Sequence, residues 1–391
     1  MLVIISVYHQ PKILFMAGLY IHIPFCSSRC IYCGFYSTTL LSLRGEYINA
    51  ICKEFDLRRD YIHEQIDTIY IGGGTPSQLK EEELHRLFDT IYNNKVYDIS
   101  PNAEITMECN PDDITTDMAD TISQLPINRI SMGVQTFNNS RLKFIRRRHT
   151  AEQIGNAISM LRHADISNIS IDLMFGFPDE TINEWNDDVS HALALDVQHI
   201  SAYSLTYEEG TSLHNMLAKG IVSETDEELS RTMYYNLSER LIAAGYEHYE
   251  ISNFALPGFR SRHNGNYWKG IPYIGIGAAA HSFDTVSRQW NIADIRKYIE
   301  SINNGIIPME SEELDTDTCY NDTVMTALRT CEGIDLQKLE MTFGKPYTDY
   351  LLTNGEKHIS SGNLCLSQSH LSLTRNGLFV SDGIMSDLMK V

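Results

Sequence analysis

Gly18-Leu-Tyr-Ile-His-Ile-Pro-Phe-Cys-Ser-Ser-Arg-Cys-Ile-Tyr-Cys-Gly-Phe-Tyr-Ser37 is the stretch on which the reading of this chain turns. It opens as a strand: Leu19, Ile21 and Ile23 alternate with Tyr20 and His22, and Pro24 ends the run. Cys26, Cys30 and Cys33 then share one loop with C-x3-C-x2-C spacing. A loop spaced this tightly can wrap a single metal centre. Three thiolates hold three irons of a [4Fe–4S] cube and leave the fourth open to a non-protein ligand. A closed zinc site needs a fourth Cys or His nearby, and only His22 is close. A disulfide framework would belong to a secreted protein, and nothing else looks secreted. The spacing favours the open iron–sulfur cluster over both.

The rest of the composition narrows the class. A length of 391 residues suffices for one large barrel-like domain and a smaller one. The net charge of −20 opposes nonspecific nucleic-acid binding. No apolar run has the length of a membrane span, so the expectation is a soluble, cytoplasmic protein. Cys52, Cys109, Cys319, Cys331 and Cys365 are scattered and read as free thiols of a reducing compartment.

Downstream, strand patterns at 68–72, 103–109, 128–134, 168–175 and 198–206 alternate with helical patterns near 43–63, 78–94, 115–124, 150–164 and 181–195. Counting from Leu19, these make six strand-then-helix units. Parallel strands with right-handed crossovers follow, and hence an α/β fold with a partial (β/α)6 barrel over residues 18–224. Active-site residues belong at the C-terminal ends of its strands. A barrel extension covers 225–314, with a helix at 225–244, a strand-like run from Tyr246 to Ile251 and an irregular Gly/Tyr-rich region at 257–283. Residues 315–391 read as a smaller C-terminal, winged-helix-like α+β domain: helices at 319–331, 335–343 and 347–359, a two-strand wing at 362–373, and a last helix near 374–390. In so acidic a chain, covering the barrel mouth suits this module better than DNA binding.

Several strand ends carry chemistry. Gly72-Gly73-Gly74-Thr75-Pro76 follows the second strand, where a backbone without side chains can approach a small amino-acid ligand, although a plain tight turn also explains it. Glu108, Gln135 and Asp172 close the third, fourth and fifth strands and suit ribose hydroxyls or an α-ammonium; singly, each also reads as a solvated polar residue. In the basic run Arg146-Arg147-Arg148-His149, Arg147 is the residue expected to pair with a carboxylate at the site. His263-Asn-Gly-Asn-Tyr-Trp268 sets an imidazole beside aromatics, although a lone His is more often a satisfied structural residue.

The C-x3-C-x2-C motif with Tyr32 before the last Cys resembles the signature of the radical S-adenosylmethionine (SAM) superfamily. The lead-in LYIHIPFC and the motifs above resemble its oxygen-independent coproporphyrinogen III oxidase group, and within it the HemW heme chaperones, from about Gly18 to the C-terminus. This resemblance implies a [4Fe–4S] cluster on Cys26, Cys30 and Cys33. It places SAM contacts at Tyr20, Tyr32, Gly73, Gly74, Thr75, Glu108, Gln135, Arg147 and Asp172, with Thr206 a looser match. The H-N-x-x-Y-W hexapeptide makes His263 the leading heme ligand and His281 a weaker second. Heme or a porphyrin, a heme-accepting protein and transient contact with membrane respiratory proteins are the implied partners, with no nucleic acid among them.

Two functions compete on these grounds, with a radical SAM enzyme acting on a different substrate as a third possibility. One is a heme chaperone that binds heme and delivers it while keeping the SAM machinery. The alternative is a coproporphyrinogen III oxidase that decarboxylates two propionates through a 5′-deoxyadenosyl radical. The oxidases carry a fourth cysteine, C-x3-C-x2-C-x-C, where this chain has Phe35, and a longer N-terminal arm. Residues 1–17 read as an N-terminal arm without the basic start or cleavage site of a signal peptide; Met16 would be a natural start for the family.

Overall fold

The computed structural model describes residues 16–93 and 95–390; the apolar stretch 1–15 lies outside the described residues. Six strands succeed one another with helices between them: β1 Met16–Ile23, β2 Gln65–Gly73, β3 Ile99–Cys109, β4 Arg129–Gln135, β5 Ile169–Phe175 and β6 His199–Ser204. They pair in parallel in chain order, as strand–helix alternation requires. Helices bury one stripe against this sheet; in Arg44–Leu57 the stripe is Ile48, Ile51 and Phe55, at helical spacing. Met16 and Ala17, read as the end of the arm, instead begin β1 and pair with Gln65 and Ile66.

The sheet continues past both edges of the six. β7 Glu247–Glu250 and β8 Asn253–Ala255 add an antiparallel pair beyond β6. β9 Tyr273–Ile276 runs parallel to β1 on its other side. Beyond it β10 His281–Phe283, β11 Ser287–Asn291 and β12 Met309–Glu313 pair antiparallel. The region 257–283, expected to be irregular, therefore holds the helix Arg262–Trp268 and two strands of the main sheet. Its glycines hid them. A Cβ on Gly275 would stand 2.0 Å from the His281 carbonyl oxygen, so that glycine reports close packing of two strands and not a turn.

A buried carboxylate fastens this edge. Glu54 is 0% exposed; it accepts from Arg58 Nε at 2.8 Å, Asn291 Nδ2 at 2.7 Å and the Gly277 amide at 2.8 Å, and from the Tyr298 hydroxyl. One side chain thus joins the first helix, the β9–β10 turn, β11 and the helix Ile295–Asn303.

The C-terminal unit has its own core, including Tyr320, Val324, Leu351 and Leu371. Helices Thr316–Leu328, Leu336–Phe343 and Lys345–Ser360 pack against an antiparallel sheet of β13 Ile334–Asp335, β14 Leu364–Ser367 and β15 His370–Leu373. The single last helix expected near 374–390 is two, Arg375–Leu378 and Ser381–Leu388. The break has a packing cause: Leu378 and Phe379 turn aside onto the core of the main sheet. The Arg329–Glu250 ion pair, 2.7 Å, ties the same unit to β7.

Glu54→Ala should strand Arg58 in the interior and loosen the β9–β12 edge. The expected loss of stability in chemical denaturation is about 3–5 kcal/mol, the range for breaking a buried pair from one side. A loss below about 1 kcal/mol would show that the edge does not depend on this carboxylate.

Candidate functional site

The cluster loop is closed at its base and pinned in its middle. Thr38 N–H donates to the Pro24 carbonyl at 2.7 Å and Cys26 N–H to the Thr38 carbonyl at 3.0 Å. Between Cys30 and Cys33, Ile31 is 3% exposed and inserts into an apolar cluster with Ile145, Met174, Phe177, Leu205 and Leu213. The three thiols are free and partly buried. Among the described residues no three Cys, His, Asp or Glu side chains converge as one metal ion requires. Burial pushes the Cys33 thiol up to about 11 and raises Cys26 as well, so metal binding here must release protons.

β1 and β2 meet at glycines. Gly74 N–H donates to the Ile23 carbonyl at 2.8 Å, and a Cβ on Gly74 would lie 2.7 Å from the Pro24 carbonyl carbon. Gly73, at φ 108°, leaves room for the His22 ring, which a Cβ would meet at 2.4 Å. Its amide donates to Glu108 Oε2 at 3.0 Å, while Tyr70 donates to Oε1 at 2.8 Å. Burial lifts the Glu108 carboxyl to about 7. Thr75 Oγ1 reaches the Cys26 sulfur at 3.4 Å, so the glycine turn and the cysteine loop are directly in contact.

The strand ends converge as the barrel rule predicts. A cavity of about 1150 Å3 takes in Cys26, Cys30 and Cys33 together with Tyr20, Tyr32, Gly73, Gly74, Thr75, Glu108, Gln135, Arg147, Asp172 and Thr206. Gln135 sits at the end of β4 with φ 69°, beside a register break between Gly133 and Gln135. Ser131 donates to Asp172 Oδ2 at 3.5 Å; burial raises the Asp172 carboxyl, opposed by a hydrogen bond from Ser201. Arg147 also lines the cavity. Its guanidinium donates to the Gly133 carbonyl and reaches the Cys30 sulfur at 3.8 Å, with no carboxylate partner among the described residues. Arg148 takes the carboxylates instead, Asp112 and Asp113, each at 2.6 Å.

The His263–Trp268 hexapeptide is a helix whose two faces differ. His263, Asn264 and Tyr267 line the cavity. Trp268 does not join them; its ring lies 4.9 Å from the Arg329 guanidinium of the C-terminal unit. His263 is 1% exposed, stacked on Tyr70 with ring centroids 5.1 Å apart. Nδ1 shares a hydrogen bond with Thr68 Oγ1 at 2.8 Å and Nε2 one with the Tyr267 hydroxyl at 2.9 Å. Both ring nitrogens are thus occupied, which is the arrangement of a structural histidine. Iron ligation by Nε2 requires the Tyr267 hydroxyl to give way. His281 is exposed in the same cavity, stacked on Trp290 with centroids 6.0 Å apart, and no hydrogen bond holds its ring among the described residues.

His22, weighed from the sequence only as a fourth zinc ligand, lines the cavity and donates from Nε2 to the Tyr36 carbonyl at 2.9 Å; sequence reasoning missed Arg129, Ser131 and Ser201, which line it too. The serines carried no signal. Arg129 did: it is a cation at the head of an otherwise apolar strand run, Arg129-Ile-Ser-Met-Gly-Val.

Comparison with known proteins converges on the same elements. A model of the radical SAM superfamily matches residues 20–192 and one of the HemN C-terminal domain matches 314–380. The chain is 35% identical to heme chaperone HemW of Lactococcus lactis, over 83% of this chain and 84% of that protein. It is 33% identical to heme chaperone HemW of Bacillus subtilis, over 94% of this chain and 98% of that one. The solved coproporphyrinogen III oxidase HemN of Escherichia coli superposes with a TM-score of 0.82 at 20% identity, covering 96% of this chain and 90% of its own, which shows a common fold.

The buried His263 makes a pH prediction. Burial, reinforced by the Arg129 charge, lowers its folded-state pKa to about 3. Unfolded, the ring binds a proton below about 6.5 that the folded ring refuses. Stability is therefore fully present above that pH and falls with acid toward 3. In urea titrations between about pH 6.5 and 4, His263→Gln should flatten the slope of stability against pH by up to about 1.4 kcal/mol per unit. Parallel slopes would mean that the ring is charged or exposed in the fold.

Proposed function

We propose a function from one premise: the chain belongs to the HemW family of radical SAM proteins. It binds heme and passes it to acceptor proteins, and it carries a [4Fe–4S] cluster and SAM beside the heme site. The observation that carries this reading is that the His263-Asn-Gly-Asn-Tyr-Trp268 helix turns His263 and Tyr267 into the cavity that the three cysteines also line.

The residues fit the cofactors. Cys26, Cys30 and Cys33 supply the thiolates, and the Gly73–Gly74–Thr75 backbone, held against the cysteine loop, is the edge this reading assigns to the amino-acid end of SAM. When reduced, the cluster supplies the electron that cleaves SAM. Glu108 and Asp172 offer acceptors at the ribose side, and Gln135 an amide. Arg147, against the Cys30 sulfur, balances thiolate charge. Tyr32 and Ile31 keep water from one side of the loop.

Heme is flat and apolar, and its iron takes an axial imidazole. His263 is the ligand this reading assigns, exchanging its Tyr267 hydrogen bond for iron; His281, with a free ring, is the second. Phe35, 70% exposed where the oxidases hold a fourth cysteine, weighs against the decarboxylase alternative. HemN kinship of fold alone does not choose between the two.

Replacing Cys26, Cys30 or Cys33 by Ala should remove the brown chromophore and about four irons per chain. Heme added to the wild type should give a shifted Soret band that His263→Ala alters and His281→Ala leaves in place. Retention of iron and sulfide in all three cysteine variants would remove the cluster. A Soret band lost only in His281→Ala would move the axial ligand to β10, and no Soret shift in the wild type would end the heme reading.

A further inference from the structure

The floor of the cavity holds a buried cation with no ion-pair partner among the described residues. Arg129 opens β4, at the end of the strand opposite to Gln135. It is 2% exposed, yet it lines the cavity. Its Nε has no hydrogen-bond partner, and among the described residues its guanidinium joins neither a hydrogen bond nor an ion pair. A cation withdrawn from water costs several kcal/mol unless paired. Native folds pair such groups, or keep them for a ligand.

The other charges around the cavity are spoken for. Arg148 is held by Asp112 and Asp113, Arg329 by Glu250, and Arg147 by the Gly133 carbonyl and the Cys30 thiol. Arg29 and Arg146 are exposed. Asp172 accepts from Ser131 and lies outside ion-pair range of Arg129. The Arg129 charge is nonetheless felt nearby: together with burial it holds His199 and His263 neutral, and it lowers the Asp172 carboxyl against burial. Around the guanidinium stand neutral imidazoles and the Asp172 carboxyl, which feels its charge but lies too far away to pair with it.

We propose that Arg129 is a binding residue for a ligand carboxylate at the cavity floor, and that the carboxylate is a propionate of the tetrapyrrole. The second half rests on the heme reading above. A guanidinium presents a planar fork that matches the two oxygens of a carboxylate. The cavity, about 1150 Å3, exceeds the ~300–1,000 Å3 of ordinary single-ligand sites, so a second ligand fits below the strand ends that frame SAM. His263 and Arg129 line the same cavity, so a macrocycle placed near the His263 ring can direct a propionate to Arg129. The binding is noncovalent and asks for no oxidant or reductant.

The test compares hemin with hemin dimethyl ester, which keeps the iron and the ring but masks both carboxylates. Wild type should bind hemin roughly tenfold or more tightly than the ester, the scale of one charge-assisted pair in a dry site. Arg129→Gln should abolish that preference by weakening hemin alone, while ester and SAM affinity stay unchanged. Arg129→Lys should keep part of it. Neither variant should melt below wild type, since each removes or shortens an unpaired buried group. An intact hemin preference in a folded Arg129→Gln protein overturns the proposal. So does a loss of SAM affinity with hemin binding unchanged, which would assign Arg129 to the SAM carboxylate. If wild type binds neither hemin nor its ester, the heme reading fails, and metal-free coproporphyrin III then probes the floor by itself. Binding that Arg129→Gln abolishes sustains a carboxylate site; no binding overturns it.

Discussion

Everything at this site hangs on how closely β1 and β2 approach at their C-terminal ends. Gly74 donates to the Ile23 carbonyl at 2.8 Å, and neither Gly73 nor Gly74 has room for a Cβ. That contact brings the cysteine loop, which leaves β1 at Pro24, against the glycine turn that leaves β2. Thr75 touching the Cys26 sulfur is its direct expression. A side chain at either glycine would push the two loops apart and separate the thiols from the glycine turn of β2. The apolar anchor at Ile31 and the Thr38 bonds then fix the loop from its other sides.

From that contact outward the fold is a means of bringing strand ends together. Six parallel strands place Glu108, Gln135, Asp172 and Thr206 around the same space, and β9 and β10 extend the sheet beside β1, with His281 on β10 and the Glu54 network at the turn between them. The C-terminal unit closes one flank. Arg329 spans it, paired with Glu250 on β7 and laid over Trp268, while Phe379 reaches the cavity wall. Burial shifts the titration of several of these groups. Glu108 is lifted to about 7, and His263 is held neutral down to about 3. A dry interior of this kind strengthens every polar contact a ligand makes.

Much of this was legible in the chain because its signals are local. The Cys26–Cys33 spacing, the glycine triplet and the period-two runs announce loops and parallel strands without knowledge of the partners. The β9–β12 edge was not legible. β9 has four residues and contains Gly275, whose need for glycine arises from the His281 carbonyl it packs against, a contact that only the tertiary structure creates. Arg147 and Arg148 were adjacent in sequence and indistinguishable in type; which one meets carboxylates depends on Asp112 and Asp113 arriving from β3's following turn. For His263, sequence supplied a motif but not the Thr68 and Tyr267 bonds that now occupy its ring. Arg129 was visible as a charge in an apolar run, but only the fold shows that its Nε is buried without a partner among the described residues.

The central claim is that this cavity is used to hold heme and not to decarboxylate coproporphyrinogen. One anaerobically reconstituted preparation, with its cluster assembled, decides it. Heme titration and a coproporphyrinogen III assay with SAM and a reductant are run side by side on that preparation. The account predicts saturable heme binding with a Soret band and no protoporphyrinogen. Sustained conversion of coproporphyrinogen by the same protein would contradict it and make the chain an oxidase.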